Sequence, residues 1–311
     1  MTNKFCKFLG FVALAVNFSS CTSQNVDSQN RGLLQGIIGG KTDAQTNGSV
    51  EKKQFNAISK HVAMIALEEI SPSGRKVVEK ASAVILNDNF VVTSAHIFEG
   101  FKFDSSHQGV IFFGASGDWQ KRQRQEFSKN DILNRNADEL TRKGWSLDQG
   151  NKDYVFIRIK NGLPSGFSKI AMMNDYEFFK NNKNYRFAGF GRSENGVDDS
   201  LMRTLDLTLS RYNSNQASDK FSPIPNILGV EDRNYFLEFY GDARASISLG
   251  DSGGAVYFEG TDEQGAPMAF LAGIITGYQS YGQLVADYCL RVDAFYNDAI
   301  ATSRRIIKGD L

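Results

Sequence analysis

Cysteine and histidine each occur only three times in the 311 residues. Cys6, Cys21 and Cys289 are too few for the dense disulfide framework that staples small secreted domains. His61, His96 and His107 are too few and too separated for a zinc site, and nothing else calls for a metal or an organic cofactor. Net charge is also missing: 35 Lys and Arg balance 35 Asp and Glu, which removes the electrostatic footprint of a nucleic-acid binder. No apolar run approaches the roughly 20 residues of a membrane-spanning helix. Helical periodicity is scarce, and no internal repeat or low-complexity tract is present. What is there is a 41% apolar and 12% aromatic chain, ample for one large β architecture or two packed halves.

The N-terminal segment reads as an export signal. Lys4 and Lys7 precede the apolar stretch Phe8 to Phe18, followed by Ser19, Ser20 and Cys21, the order of a basic region, a short apolar region and small residues at a cut. Cys21 after two small residues resembles the lipobox of bacterial lipoproteins, with Phe18 where a leucine is usual. The resemblance implies lipidation of Cys21, a membrane anchor and a place in the cell envelope. An ordinary signal peptide, releasing a soluble protein, is the alternative. Residues 22–36 have a linker's polar composition. Cys6 leaves with the signal (residues 1–20), Cys21 carries lipid, and Cys289 is left as a lone buried thiol.

From Ile37 onward, short strands alternate with turn-rich loops. Strands are expected at 62–67, 83–86, 90–93, 110–113, 154–159, 185–190, 201–209, 235–240, 255–258, 269–276 and 284–292, an all-β pattern. A helix is expected over Asp293 to Ile307, where Phe295, Ala299, Ile300 and Ile306 share a face. A further helical turn is expected at 174–180. The basic run Lys121, Arg122, Arg124 is interspersed with Gln123, Gln125 and Glu126 and reads as a solvated loop.

The candidate chemistry begins at Gly250-Asp251-Ser252-Gly253-Gly254. Two glycines let a substrate backbone approach and let the chain turn tightly. A serine there can attack a carbonyl while neighbouring N–H groups hold the oxyanion. The segment also fits Gly-x-Ser-x-Gly, but that elbow needs a histidine after the serine. All three histidines precede Ser252, so the elbow reading fails. His96 ends the apolar run Phe90 to Ala95, a frame that can hold an imidazole at a strand end as a general base. His61 and His107 sit in polar surroundings and read as structural. Asp153 leads into Tyr154 to Ile159, where Val155, Ile157 and Ile159 face one way. It is preferred over Asp131, Asp138 and Asp148, which lie in loop-like surroundings.

These segments resemble the trypsin-like serine proteases. Ala81–His96 (ASAVILNDNFVVTSAH) is similar to the strand-turn-strand that carries their catalytic histidine. Asp153 with its strand is similar to their Asp-Ile-Ala-Leu, Gly250–Gly254 to their GDSGG, and Ile37-Ile38-Gly39-Gly40 to their mature N-terminus. Residues 185–191 and Leu271–Thr276 resemble further family strands. The resemblance runs from Ile37 to about Ile300. It implies two perpendicular six-stranded β-barrels, about 37–165 and 166–292, then a C-terminal helix. It also implies His96 as base, Asp153 as its orienter, Ser252 as nucleophile, and the N–H groups of Gly250 and Ser252 as oxyanion hole. Asp251 would pair with a new α-amino group at Ile37.

The departures bear on processing and specificity. The family's cysteine pair around the histidine is replaced by Ile97 and Ala81, which implies packing in place of a bridge. Gly36 precedes Ile37 where the family has Arg or Lys, so an activating protease of different preference is implied; its cut would also free the enzyme from Cys21. At the specificity pocket the resemblance implies Ser246, Thr276 and Asp287, with a basic and an apolar or aromatic preference both open. Proteolysis of protein or peptide substrates is the main expectation. A catalytically silent or zymogen-locked binding protein on the same scaffold, and a structural envelope lipoprotein, are the alternatives.

Overall fold

A computed structural model of the protein describes residues 40–46, 48–115, 118–134, 152–175, 179, 182, 184–192, 198–208, 211–212, 236–242, 246–261, 267–281 and 284–311. Ile37, Cys21, the linker, Asp138, Asp148 and most of the helical turn expected at 174–180 lie outside them.

The chain forms two curled antiparallel half-barrels and a C-terminal helix. In the first, β1 (Val62–Ser71), β2 (Gly74–Asn87), β3 (Phe90–Thr93), β4 (His107–Phe113), β5 (Gln123–Phe127) and β6 (Val155–Arg158) run in the order β5-β4-β1-β2-β3-β6. Among the described residues the second has eight strands, two of them only two residues long: β7 (Ala171–Met172) and β10 (Arg211–Tyr212). Its six longer strands are β8 (Asn184–Gly189), β9 (Arg203–Thr208), β11 (Phe236–Asp242), β12 (Ala255–Thr261), β13 (Pro267–Tyr281) and β14 (Leu284–Arg291).

The two-residue period of a strand explains the packing. Along β1, Ala63, Ile65 and Leu67 enter the first barrel's core, while Val62, Met64 and Ala66 join the larger cluster that continues into the second. Strands β2, β3, β4 and β6 divide in the same way: Val155, Ile157 and the following Ile159 point inward and Phe156 outward. Both faces are covered, so these strands read as unbroken apolar runs. Ala81 and Ile97 lie buried together in the first core, and Cys289 is a buried free thiol.

Three expectations change. The run 121–126 is not a solvated loop: Gln123–Phe127 is the edge strand β5, paired with β4. Gln125 and Phe127 are buried while Arg124 and Glu126 pair on the solvent side at 2.9 Å, as a half-wet edge strand allows. Arg122 is buried too; its guanidinium lies over the Phe190 ring and donates to the Ser200 carbonyl at 2.8 Å. Helix α1 (Ser49–Ser59) has no counterpart in the sequence reading. It buries only Phe55 and Ile58 among its described side chains, too few for a readable period. The last helix, α2, covers Tyr296–Lys308 rather than starting at Asp293, because Val292–Ala294 winds as a tighter 3-10 turn. α2 docks on the first half through Asn87 to Ser303 and Tyr154 to Asp298, and Phe295 packs on Tyr154. It thereby buttresses the residue next to Asp153.

Candidate active site

Antiparallel pairing of β3 with β6 sets Thr93 opposite Val155. The chain leaving β3 therefore passes the chain entering β6, and His96 meets Asp153. His96 stands in a short 3-10 turn, Ala95–Phe98. One Asp153 oxygen accepts the His96 backbone N–H at 2.9 Å, and the other contacts Nδ1 at 2.8 Å. Asp153 is fully buried, so both oxygens are spent on a single residue and fix its ring. The tautomer that satisfies this geometry carries its proton on Nδ1. Nε2 is then free to accept from the Ser252 hydroxyl, 3.0 Å away.

Ser252 lies in a turn of unusual backbone. Gly250 has φ +94° and Gly253 φ +80°, the left-handed region. A Cβ on Gly253 would also lie 2.2 Å from Thr93 Oγ1 and 2.3 Å from the Ser82 carbonyl. The Gly253 N–H donates to the Ile275 carbonyl and the Gly254 N–H to the Asp251 carbonyl. The N–H groups of Gly250 and Ser252 make no hydrogen bond among the described residues. Two donors left open beside a serine suit a developing oxyanion.

Asp251 points away from Ser252. One oxygen accepts the Gly191 N–H at 2.8 Å and the other the Ser248 N–H at 3.0 Å. Burial pushes its carboxyl up to about 7, opposed by the two N–H bonds and the charge of Arg203. Its expected partner, Ile37, lies outside the described residues.

Of the three residues expected at the specificity pocket, the structure joins two. The Ser246 hydroxyl donates to Asp287 Oδ1 at 2.7 Å. Asp287 Oδ2 is buried without a hydrogen-bond partner among the described residues, and burial pushes the carboxyl up to about 8. Thr276 sits at the β13 irregularity between Ile275 and Gly277, its hydroxyl likewise unpartnered among the described residues. His61 contacts the Ser168 carbonyl, His107 contacts Asp104, and Asp131 pairs with Lys160; none reaches the site.

Two nearby residues escaped the sequence reading. Glu79 is half-buried, its carboxyl raised to about 7 chiefly by burial and lowered by the charges of His96 and Arg192. Nothing local marks it. Ser82 is fully buried where the halves meet. Its signal was a single hydroxyl inside the apolar run Ala81 to Leu86.

Among the described residues, no group of His, Cys, Asp and Glu side chains could hold a metal ion, and no helix is long and apolar enough to cross a membrane.

Two curled antiparallel half-barrels with a hydrogen-bonded Asp–His–Ser chain at their seam define a class, the double-barrel serine hydrolases. Within it, the chain belongs to the trypsin family, whose family model, Trypsin, matches residues 58–299. No curated protein matches the chain.

Proposed function

We propose that the protein is a serine endopeptidase that cleaves peptide bonds through an acyl-enzyme on Ser252. The observation that carries this reading is the continuous contact from Asp153 through His96 to Ser252 Oγ. Ser252 Oγ adds to the substrate carbonyl carbon as its proton passes to His96 Nε2, and the carbonyl electron pair moves onto oxygen. The Gly250 and Ser252 N–H groups receive that oxyanion. Collapse breaks the C–N bond, and the amine leaves with the proton from His96. Water, deprotonated by His96, then releases the acid and restores Ser252. Asp153 holds the ring and stabilises the imidazolium.

The pocket supports a basic residue before the scissile bond. Asp287 brings a buried carboxyl oxygen with no hydrogen-bond partner among the described residues, and a buried polar group in that state is costly unless a partner arrives. A guanidinium or ammonium would supply one.

Activation by a cut before Ile37 is supported by Asp251. Its two oxygens are set by backbone donors, yet its carboxyl rests near 7. A positive α-amino group beside it would favour the ionised form and hold the turn. The export signal and Cys21 support a lipid-tethered precursor in the cell envelope. A zymogen locked until processed is the form this reading gives to the uncut chain.

The test is labelling by a fluorophosphonate probe before and after removal of residues 1–36, with Ser252→Ala as control. Labelling of wild type alone is expected, faster after the cut. No labelling of either form would overturn the enzyme reading. Equal labelling of both would overturn the activation step.

A further inference from the structure

We infer that Ser82 is a positioning residue for the oxyanion hole, its hydroxyl bracing the peptide that follows Gly250. The inference rests on the reading of Ser252 as nucleophile and adds a residue from the opposite half-barrel to the machinery.

Ser82 lies on β2 of the first half and is fully buried. Its hydroxyl donates to the Gly250 carbonyl at 2.9 Å and accepts the Phe190 N–H at 2.8 Å, both groups of the second half. A hydroxyl has one proton to give, so accepting from Phe190 commits that proton to Gly250. Its main chain is bound as well. The Ser82 N–H donates to the Ser252 carbonyl at 2.8 Å, and the Ser82 carbonyl accepts from Thr93 Oγ1 at 2.7 Å. One residue thus ties the strand leading to His96 to the turn carrying Ser252.

The consequence for the oxyanion hole follows from the backbone. Gly250 is the least restrained residue type, and its φ of +94° is held by its surroundings rather than by a side chain. The Gly250–Asp251 peptide is pinned at both ends: its carbonyl by Ser82, and its N–H by the Ser248 carbonyl at 3.0 Å. With that plane fixed, the Gly250 N–H has a defined direction. Without the hydroxyl the carbonyl end is released, and rotation at Gly250 carries the N–H out of line. Two buried backbone groups, the Gly250 carbonyl and the Phe190 N–H, also lose their partner. Phe190 and Gly191 follow β8, and Gly191 donates to Asp251. The same hydroxyl therefore steadies the segment that holds Asp251.

The test compares wild type, Ser82→Ala and Ser82→Thr, processed to begin at Ile37, with rates per titrated active site. Three quantities are read: kcat, KM, and affinity for a peptidyl trifluoromethyl ketone. Ser252 Oγ adds to the ketone carbon, its proton goes to His96, and the oxygen becomes an oxyanion facing the Gly250 and Ser252 N–H groups. For Ser82→Ala, kcat is expected to fall about 10- to 100-fold, short of the roughly 10²–10³ that deleting a donor costs. Ketone affinity should fall by a similar factor and KM stay within about twofold, since the brace acts on an interaction made only in the transition state. Ser82→Thr, which keeps the hydroxyl, should restore most of the loss. Unchanged kcat in Ser82→Ala, or a loss of kcat without loss of ketone affinity, overturns the inference. So does a threonine variant that folds but is as slow as alanine. If alanine fails to fold, Ser82→Gly takes its place with the same expectations. A wild type that turns over no peptide would instead overturn the protease reading itself.

Discussion

On the proposed protease reading, the raised carboxyl of Asp287 should make substrate preference depend on pH. Burial holds the carboxyl neutral up to about 8, and a neutral acid offers a cationic side chain little. Binding an arginine before the scissile bond must therefore displace the proton. Each pH unit below about 8 then costs about 1.4 kcal/mol, or tenfold in affinity. Arginine substrates should be weakened about tenfold at pH 7 and about hundredfold at pH 6, relative to the alkaline plateau. The assay is kcat/KM for two peptide amides that differ only in Arg or Phe before the cleaved bond. Protonation of His96 slows both equally and drops out of the ratio, and comparison with Asp287→Asn separates Asp287 from Asp251, whose carboxyl is raised to about 7. The Arg-to-Phe ratio should climb through pH 6–8 and level off above. Asp287→Asn should flatten it and lower the plateau by roughly two to four orders of magnitude, as expected for leaving a buried cation unpaired at about 3–5 kcal/mol. A ratio that is flat in the wild type, or unmoved by Asp287→Asn, would refute the reasoning. Stability carries the opposite sign. A carboxyl raised above its ordinary 3.8 stabilises the unliganded fold below that value and loses the contribution as pH rises through about 8. The free enzyme should accordingly melt lower at pH 9 than at pH 5, and Asp287→Asn should reduce the difference.

Two further substitutions test the scaffold around Ser252. A Cβ at Gly191 would lie 2.4 Å from one Asp251 oxygen and 2.6 Å from the other, so Gly191→Ala must displace the carboxylate from its two N–H donors. We expect kcat to fall at least tenfold and Tm by several degrees, about 1–3 kcal/mol for the freed groups; steady-state kinetics and calorimetry check both. Asp153→Asn keeps the shape but withdraws the carboxylate that selects the His96 tautomer. It should lower kcat by about 10⁴ with KM little changed, measured by active-site-titrated kinetics.

The serine, its histidine and its aspartate were legible in sequence because each sits in a local frame the chain states outright. His96 ends an apolar strand, Asp153 begins one, and Ser252 lies among glycines. Their order along the chain excluded the elbow-type hydrolase. The all-β class was equally legible, since strands buried on both faces leave long apolar runs such as Val62 to Leu67. Helix α1 and edge strand β5 were not. One has too few buried apolar residues to show a period, and the other buries only Gln125 and Phe127 among exposed Gln, Arg and Glu, a composition that resembles a loop.

The sequence by itself determined which residues could do the chemistry, because residue type and strand period are local properties. Tertiary structure decided which of them meet. Pairing of β3 with β6 delivers Asp153 to both His96 donors. The arrangement of strands in the second half sets Asp287 against Ser246, 41 positions away. Ser82 reaches Gly250 across 168 positions. No window of sequence contains such contacts: the first two exist only once distant strands of one half-barrel pair, and the third only where the two halves meet.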